Sequence, residues 1–229
     1  GSTARVVAIS DWIDGDGKRG LFQENGDAKS EVVRLLDGGA SIVSPDLFEQ
    51  GEFLGTNVTP TRQRTVKNPR EAAAYTFAYN DTLFVRRVHD VLTLVSWIRN
   101  DDHTPKRVNL LALNGTGAIA AAARAVAGNA IDKLALDTGG FRFADITDYR
   151  DPNFVPGAVK YGDIHALLAL SSPNPLWFAG EKGKIPGVIL TAYTSEEKRV
   201  AVASWAQQST AEPAVDWLLA DPFLPGAVV

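Results

Sequence analysis

The stretch VNLLALNGTGA, residues 108–118, decides the fold of this chain. A short apolar run ends in the turn Asn114-Gly115-Thr116-Gly117, and the alanine-rich run IAAAARAVA (residues 119–127) follows at once. Glycine pairs interrupt regular structure, and alanine is the strongest helix former. The stretch therefore predicts a strand, a sharp turn and a helix.

Two kinds of functional turn have this shape. The nucleophile elbow, Gly-x-Ser-x-Gly, holds a serine on a strained turn between a strand and a helix. The dinucleotide fingerprint, Gly-x-Gly-x-x-Gly/Ala, lets the backbone approach a pyrophosphate. The chain fits the second pattern as Gly115-x-Gly117-x-x-Ala120, and Asp137 follows at about the spacing of a ribose-binding carboxylate.

Composition narrows the range of functions. The 229 residues are 45% hydrophobic with a net charge of −4, which predicts one globular domain and argues against a nucleic-acid partner. No apolar run is long enough to span a membrane. Residues 1–4, with the Gly1-Ser2 pair typical of a cloning remnant, are expected to be a tag or disordered, and residues 5–229 to form the single domain.

Strand-like and helical patterns alternate along the chain. Strands are predicted at residues 5–10, 40–44, 108–113, 131–136, 175–179 and 199–204, and helices at 28–37, 80–99, 118–127, 163–170, 188–193 and 212–220. Residues 11–26 and 46–69 are predicted loops. This alternation predicts an α/β fold with a mostly parallel sheet of about six strands and helices on both faces.

The chain resembles the α/β-hydrolases, and most of all the carbohydrate esterases of the acetyl-xylan-esterase type. The segments that resemble them are ASIVSPDLFEQGEF (40–53), KRVNLLALNGTGAIAAAARA (106–125), DIHALLALSSPNPLWFAGE (163–181), RVAVAS (199–204) and EPAVDWLLA (212–220). The resemblance implies a three-layer α/β/α domain. The usual first two strands of that fold would lie before Arg5, so we expect a reduced domain or a segment of a longer polypeptide.

The resemblance also assigns the catalytic positions. The nucleophile position falls on Gly115, with Thr116 as the nearest hydroxyl, and the acid position falls on Glu181. The histidine position lies in Ser204–Gln208, around Trp205, where there is no histidine. Acyl transfer needs a nucleophile, a base and an orienting acid. The resemblance therefore implies a hydrolase scaffold with degenerate catalytic positions.

A pocket at the carboxyl ends of the strands is the expected binding site, because ligands bind there in parallel sheets. Its expected binding residues are Asp46, Phe48, Glu52, Asn114, Asp137 and His165. A carbohydrate is the expected ligand, since carboxylates accept hydroxyl hydrogen bonds and aromatic rings stack on sugars. A competent esterase domain in the same longer polypeptide is the expected partner.

Three functions stay open at this point. The first is a non-catalytic structural or binding domain without a cofactor, and the second is an ester hydrolase with rearranged catalytic residues. The third is an NAD(P)-binding domain that uses the turn at Gly115 and Asp137. No metal is expected, because His89, His103 and the acidic run Asp11, Asp14, Asp16 are interpreted as packed or solvated residues.

Overall fold

A computed structural model describes residues 8–55, 58–70, 72–102, 105–194, 203–206 and 211–220. The strands in these ranges are β1 Ala8–Ile13, β2 Ser41–Val43, β3 Arg107–Ala112, β4 Lys133–Asp137, β5 Leu176–Ala179 and β6 Ala203–Ala206. The α-helices are α1 Ser30–Asp37, α2 Ala74–Phe77, α3 Leu83–Arg99, α4 Gly117–Ala127, α5 Asp163–Ala169, α6 Gly187–Tyr193 and α7 Ala211–Leu219.

The strands form one parallel sheet in the order β2-β1-β3-β4-β5-β6. The chain moves from β1 outward to β2, and then returns past β1 to build the rest of the sheet. The order of the strands therefore reverses between β1 and β3. In open α/β sheets, the crevice at the carboxyl ends of two such strands is the usual place for a ligand.

Helices cover both faces of the sheet. On one face, α3, α4, α5 and α6 pack on alternate strand residues such as Ile13, Leu110 and Phe178. On the other face, α1 and α7 pack on the intervening residues, among them Trp12 and Trp177. Side chains alternate along each strand because the strand period is two. The three-layer α/β-hydrolase-like fold predicted from the sequence is confirmed.

The helical stripe predicted for α3 is also confirmed. Phe84, Val88, Val91, Val95 and Ile98 are all buried against the sheet. The sequence prediction of a helix at residues 188–193 is confirmed as α6, whereas the short helix α2 was not predicted. The last strand lies at 203–206 rather than 199–204, and residues 199–202 fall outside the described ranges.

The predicted boundary at Asp11 was wrong. Strand β1 continues to Ile13, so Asp11 and Trp12 lie in a strand rather than a loop, and both are buried. Asp14 is also buried, which contradicts the interpretation of the acidic run as a solvated turn. Charged residues are rarely buried, so an acidic residue is usually taken as the end of a buried strand. For this reason the strand was predicted to end before Asp11, although Trp12 and Ile13 continue it.

Two of the tryptophans differ in burial. Trp177 is buried in the sheet, whereas Trp97 is 59% exposed on α3. Trp97 lies off the apolar stripe of α3, so its hydrophobicity alone was a poor guide to its position.

A buried lysine closes the carboxyl end of α7. The Nζ atom of Lys133 on β4 donates to the carbonyls of Leu218, at 2.9 Å, and of Ala220. The last carbonyls of a helix lack partners within the helix and carry partial negative charge. Lys133 therefore neutralises this end of α7 and fixes the helix on the sheet.

Asp11 on β1 is a buried carboxyl group whose oxygens lack hydrogen-bond partners in the described residues. Its carboxylate is fully buried, and neither oxygen has a hydrogen-bond partner among the described residues. Burial raises the pKa of Asp11 to about 8, because the charged form loses its hydration. Asp11 is therefore held mainly in its protonated form at neutral pH.

We predict that Asp11 makes the domain less stable as the pH rises from about 4 to about 8. The folded state keeps the proton in this range and the unfolded state does not, so the contribution falls by up to about 1.4 kcal/mol per pH unit. Urea unfolding of Asp11→Asn should show a stability advantage over the wild type that grows across this range. Asp37→Asn, at an exposed carboxylate, is the control, and an advantage for Asp11→Asn that is independent of pH would contradict the prediction.

Candidate functional site

The turn after β3 is a tight bend with two left-handed residues. Asn114 has φ 52° and Gly115 has φ 87°, and the N–H of Thr116 donates to the carbonyl of Leu113 at 3.2 Å. Positive φ at both central residues is the type I′ pattern, for which Asn-Gly is the preferred sequence. Asn114 and Gly115 are exposed at the tip of this bend.

Gly117 fixes the bend against the next strand. A Cβ atom at this position would lie 2.1 Å from the main-chain oxygen of Asp137 at the end of β4. No side chain fits there, so glycine is required by the close approach of the two backbones. This packing supports matching Gly117 to the helix-side glycine of an elbow. That match places the nucleophile position on Gly115, which has no side chain.

Thr116 carries the nearest hydroxyl, but it points inward. Thr116 is 2% exposed, and its Oγ1 lies 2.7 Å from the carbonyl oxygen of Leu113 and 3.1 Å from that of Ile13. A hydroxyl has one proton to donate, and these two carbonyls share it. The Thr116 side chain therefore ties the bend to β1 and is turned away from the exposed tip.

The crevice where the strand order reverses is narrowed by the loop after β1. The side-chain amide of Asn114 donates to Oδ2 of Asp14 at 2.9 Å, and Asp14 is 1% exposed. A Cβ atom on Gly15 would lie 2.1 Å from the main-chain oxygen of Asn114. The loop after β1 is thus packed directly against the bend.

Glu181 follows β5 and is tightly held. Its side chain is 3% exposed, and the guanidinium of Arg142 grips both carboxylate oxygens, with Nη1 to Oε1 at 3.0 Å and Nη2 to Oε2. Burial alone would raise the pKa of Glu181. Hydrogen bonds from Arg142, Thr138 and His165 outweigh burial and lower that pKa, so Glu181 is ionised at neutral pH.

His165 on α5 meets the same carboxylate. Its Nε2 lies 3.3 Å from Oε2 of Glu181, and its side chain is 25% exposed. The structure therefore brings Glu181 and His165 together, a contact that the sequence analysis did not predict. Sequence reasoning missed Arg142, because an isolated arginine in the loop after β4 carries no pattern. Elsewhere, His89 is exposed on α3, and His103 lies outside the described residues.

Asp46 and Glu52 form a second, separate cluster beside β2. Asp46 accepts hydrogen bonds from the main-chain N–H groups of Lys18, at 2.9 Å, and Glu52, at 3.2 Å. The ammonium of Lys18 lies 2.6 Å from Oε1 of Glu52. Asp46 thus joins the loop after β1 to the loop after β2.

Phe48 is anchored to α3. Its N–H donates to Asp90 at 2.7 Å, its carbonyl accepts from Nε of Arg87 at 3.0 Å, and the Arg86 guanidinium lies 5.2 Å from its ring centre. The predicted residues Asp46, Phe48 and Glu52 therefore hold loops in place. Lys18, Arg87 and Asp90 complete these contacts and were missed by sequence reasoning.

Asn114 and Asp137 share a cavity of about 220 Å³ at the carboxyl edge of the sheet. The other polar residues that line it are Trp12, Asp14, Lys29 and Glu31. Asp137 Oδ1 accepts from the N–H of Gly139 at 2.8 Å, and the buried Nε1 of Trp12 has no hydrogen-bond partner among the described residues. The side chain of Trp205 lies outside the described residues.

The described ranges contain neither a cluster of metal ligands nor a membrane-spanning helix. No three potential metal ligands from His, Cys, Asp and Glu gather at one point there. In the same residues, no helix combines the length and the apolar character that a membrane span requires.

The comparisons with known proteins identify the fold. No protein-family model matches the chain, and no curated protein sequence resembles it significantly. Among solved structures, the chain is similar to Est1E of Butyrivibrio proteoclasticus with bound ferulic acid, with a TM-score of 0.52 and 10% identity, over 95% of this chain and 91% of that chain. A proposed carboxylesterase of Lactobacillus plantarum gives a TM-score of 0.50 and 14% identity, over 95% and 82%.

A glucuronoyl esterase of Solibacter usitatus gives a TM-score of 0.48 and 13% identity. That match covers 95% of this chain, which spans only 63% of the length of the Solibacter protein. At these identities the likeness concerns the fold. The match to Est1E over nearly the whole of both chains shows that this chain has an α/β-hydrolase-like fold.

Proposed function

We propose that this chain is a non-catalytic α/β-hydrolase-like domain with a structural or binding role in a larger protein. The observation that carries the proposal is the bend at Gly115. The Gly117 packing against β4 matches an elbow, and the residue at the nucleophile position of that elbow has no side chain. Acyl transfer in this fold needs a hydroxyl or thiol at that position.

The contacts of Thr116 and Glu181 argue against a rearranged hydrolase. The Thr116 hydroxyl is committed to two main-chain carbonyls inside the fold. Arg142 binds both carboxylate oxygens of Glu181, so the arginine already neutralises most of the charge that would act on His165. A triad carboxylate instead directs its charge at the imidazole, and that imidazole in turn contacts the nucleophile.

A carbohydrate is the ligand that we propose for the carboxyl-edge cavity. Asp14 and Asp137 supply carboxylate acceptors for hydroxyls, and Trp12 brings a buried N–H that lacks a partner in the described part of the chain. Sugars present hydroxyls that both donate and accept, so they match this mixture of groups. The expected partner is a competent esterase domain in the same longer polypeptide, whose substrate this domain would help to hold.

We predict that the protein does not hydrolyse p-nitrophenyl acetate or acetylated xylan with saturable kinetics. Any residual release of nitrophenol should rise linearly with substrate and be the same in Thr116→Val and Glu181→Gln as in the wild type. Thr116→Ser, which keeps the hydroxyl, is the matched control for Thr116→Val. Saturable hydrolysis that is lost in Thr116→Val or Glu181→Gln, and kept in Thr116→Ser, would overturn the proposal.

We also predict a structural role for Glu181. Glu181→Gln removes a charge-assisted pair and should lower the free energy of unfolding by about 2 kcal/mol at pH 7. Because the pKa of Glu181 is lowered in the folded state, the loss should shrink as the pH falls through and below the usual carboxyl range. Chemical unfolding at several pH values measures it, and Glu24→Gln, at an exposed residue, is the control. No loss at pH 7 would contradict this role.

Binding of xylo-oligosaccharides at the carboxyl-edge cavity is a further prediction. Trp12 lines this cavity, so tryptophan fluorescence should change saturably as the sugar is added. Asp14→Asn should weaken the affinity by about tenfold, since one carboxylate acceptor is lost. Asp27→Asn, at an exposed loop residue, is the control. A saturable change of equal affinity in Asp14→Asn would place the sugar elsewhere.

A further inference from the structure

A second cavity opens at the opposite, amino end of the sheet. It has a volume of about 480 Å³ and lies between the carboxyl ends of α1 and α7. Small-molecule sites commonly have volumes of about 300–1,000 Å³. Its polar lining comes from Ser10, Lys106, Arg107 and Asn109, and apolar walls are supplied by leucines of α1 and α7.

Two buried polar side chains form the floor of this cavity. Ser10 on β1 and Asn109 on β3 are neighbours in the sheet register, and they are 0% and 4% exposed. The hydroxyl of Ser10 and Oδ1 of Asn109 have no hydrogen-bond partner among the described residues. Buried polar groups of native proteins are nearly always hydrogen-bonded, because leaving them unpaired is costly. Two unpaired atoms side by side in the floor of a cavity therefore indicate an occupant.

The chemistry of the unpaired atoms limits what that occupant can be. The amide oxygen of Asn109 only accepts, so the occupant must donate a hydrogen bond to it. The Ser10 hydroxyl can donate or accept. Hydroxyl groups of a small ligand satisfy both atoms.

Two cations border the same cavity. Lys106 and Arg107 are exposed, and neither forms an ion pair with the part of the chain that the structure describes. Cations next to helix carboxyl ends often compensate the helix dipole. Here Lys133 already neutralises the end of α7, and the N–H of Gly38 closes α1 on the carbonyl of Arg34. Lys106 and Arg107 are therefore available for an anionic group.

We infer that the amino-end cavity binds a small hydroxylated anion, such as a monosaccharide that carries a carboxylate or a phosphate. The hydroxyls meet Ser10 and Asn109 in the floor, and the anionic group meets Lys106 and Arg107 at the rim. This site is separate from the bend at Gly115, because it lies at the other end of the same strands. It stands whether or not the carboxyl edge is catalytic.

Calorimetric titration of the whole chain with D-glucuronate, glucose 6-phosphate and D-glucose tests this site. At least one of the two anions should bind saturably, and about tenfold more tightly than neutral glucose, because a charge-assisted contact is added. The two anions distinguish a carboxylate ligand from a phosphate ligand. No saturable binding of either anion, or binding no tighter than that of glucose, would overturn the inference.

Two variants locate the binding. Asn109→Leu keeps the approximate volume of the side chain, removes the acceptor and should weaken anion binding by about tenfold. The double variant Lys106→Gln with Arg107→Gln changes only exposed side chains, and should weaken anion binding while leaving glucose unchanged. The double variant Lys67→Gln with Arg70→Gln, at exposed residues that line neither cavity, is the matched control. Anion binding that survives in both the Asn109 and the Lys106 variants, or that is weakened equally in the Lys67 and Arg70 control, would overturn the inference.

Discussion

The close approach of three strands at one bend is the constraint on which the carboxyl edge depends. Thr116 joins the bend to the carbonyl of Ile13 on β1, and Gly117 lies against the carbonyl of Asp137 on β4. The first contact needs a small hydroxyl side chain, and the second permits no side chain. Together they fix where Asn114 and Gly115 stand, and they use the only hydroxyl of the bend for structure.

The polar groups around this bend are mostly satisfied by one another. Asp14 holds Asn114, Arg142 holds Glu181, and Lys18 holds Glu52. Active sites usually keep charged groups available for a substrate, because a charge that is already paired with another residue stabilises a reacting atom less. The described charged groups at the carboxyl edge of this fold therefore serve to hold loops together.

At the amino end of the sheet, fewer of the buried polar groups have hydrogen-bond partners in the described part of the chain. Ser10, Asn109 and Lys133 form a polar row across β1, β3 and β4, and only Lys133 has its hydrogen bonds met by the described chain. Next to this row, Trp12, Leu111 and Ala135 are apolar. Unpaired groups in the floor of an open cavity, beside the exposed cations Lys106 and Arg107, are the arrangement that a ligand would complete.

The architecture could be predicted from the sequence, because the stripe from Phe84 to Ile98, the glycine turn at 115–117 and the short apolar strands are local patterns. Asp11 was misjudged, since a buried carboxylate goes against the usual preference. The contact of Glu181 with Arg142 joins residues that are 39 positions apart in the chain, and no repeating sequence pattern predicts such a pair. The absence of a side chain at Gly115 is plain from the sequence, whereas the inward direction of Thr116 needed the three-dimensional structure.

The central claim is that the bend presents no nucleophile. Incubation of the folded protein with a fluorophosphonate probe, followed by intact mass spectrometry, tests this claim directly, with a serine esterase in the same tube to show that the probe is reactive. We expect an unchanged mass for this protein while the serine esterase is fully labelled. A stoichiometric adduct that maps to Thr116, or to any other hydroxyl at the carboxyl edge, and that disappears when the protein is unfolded would contradict it.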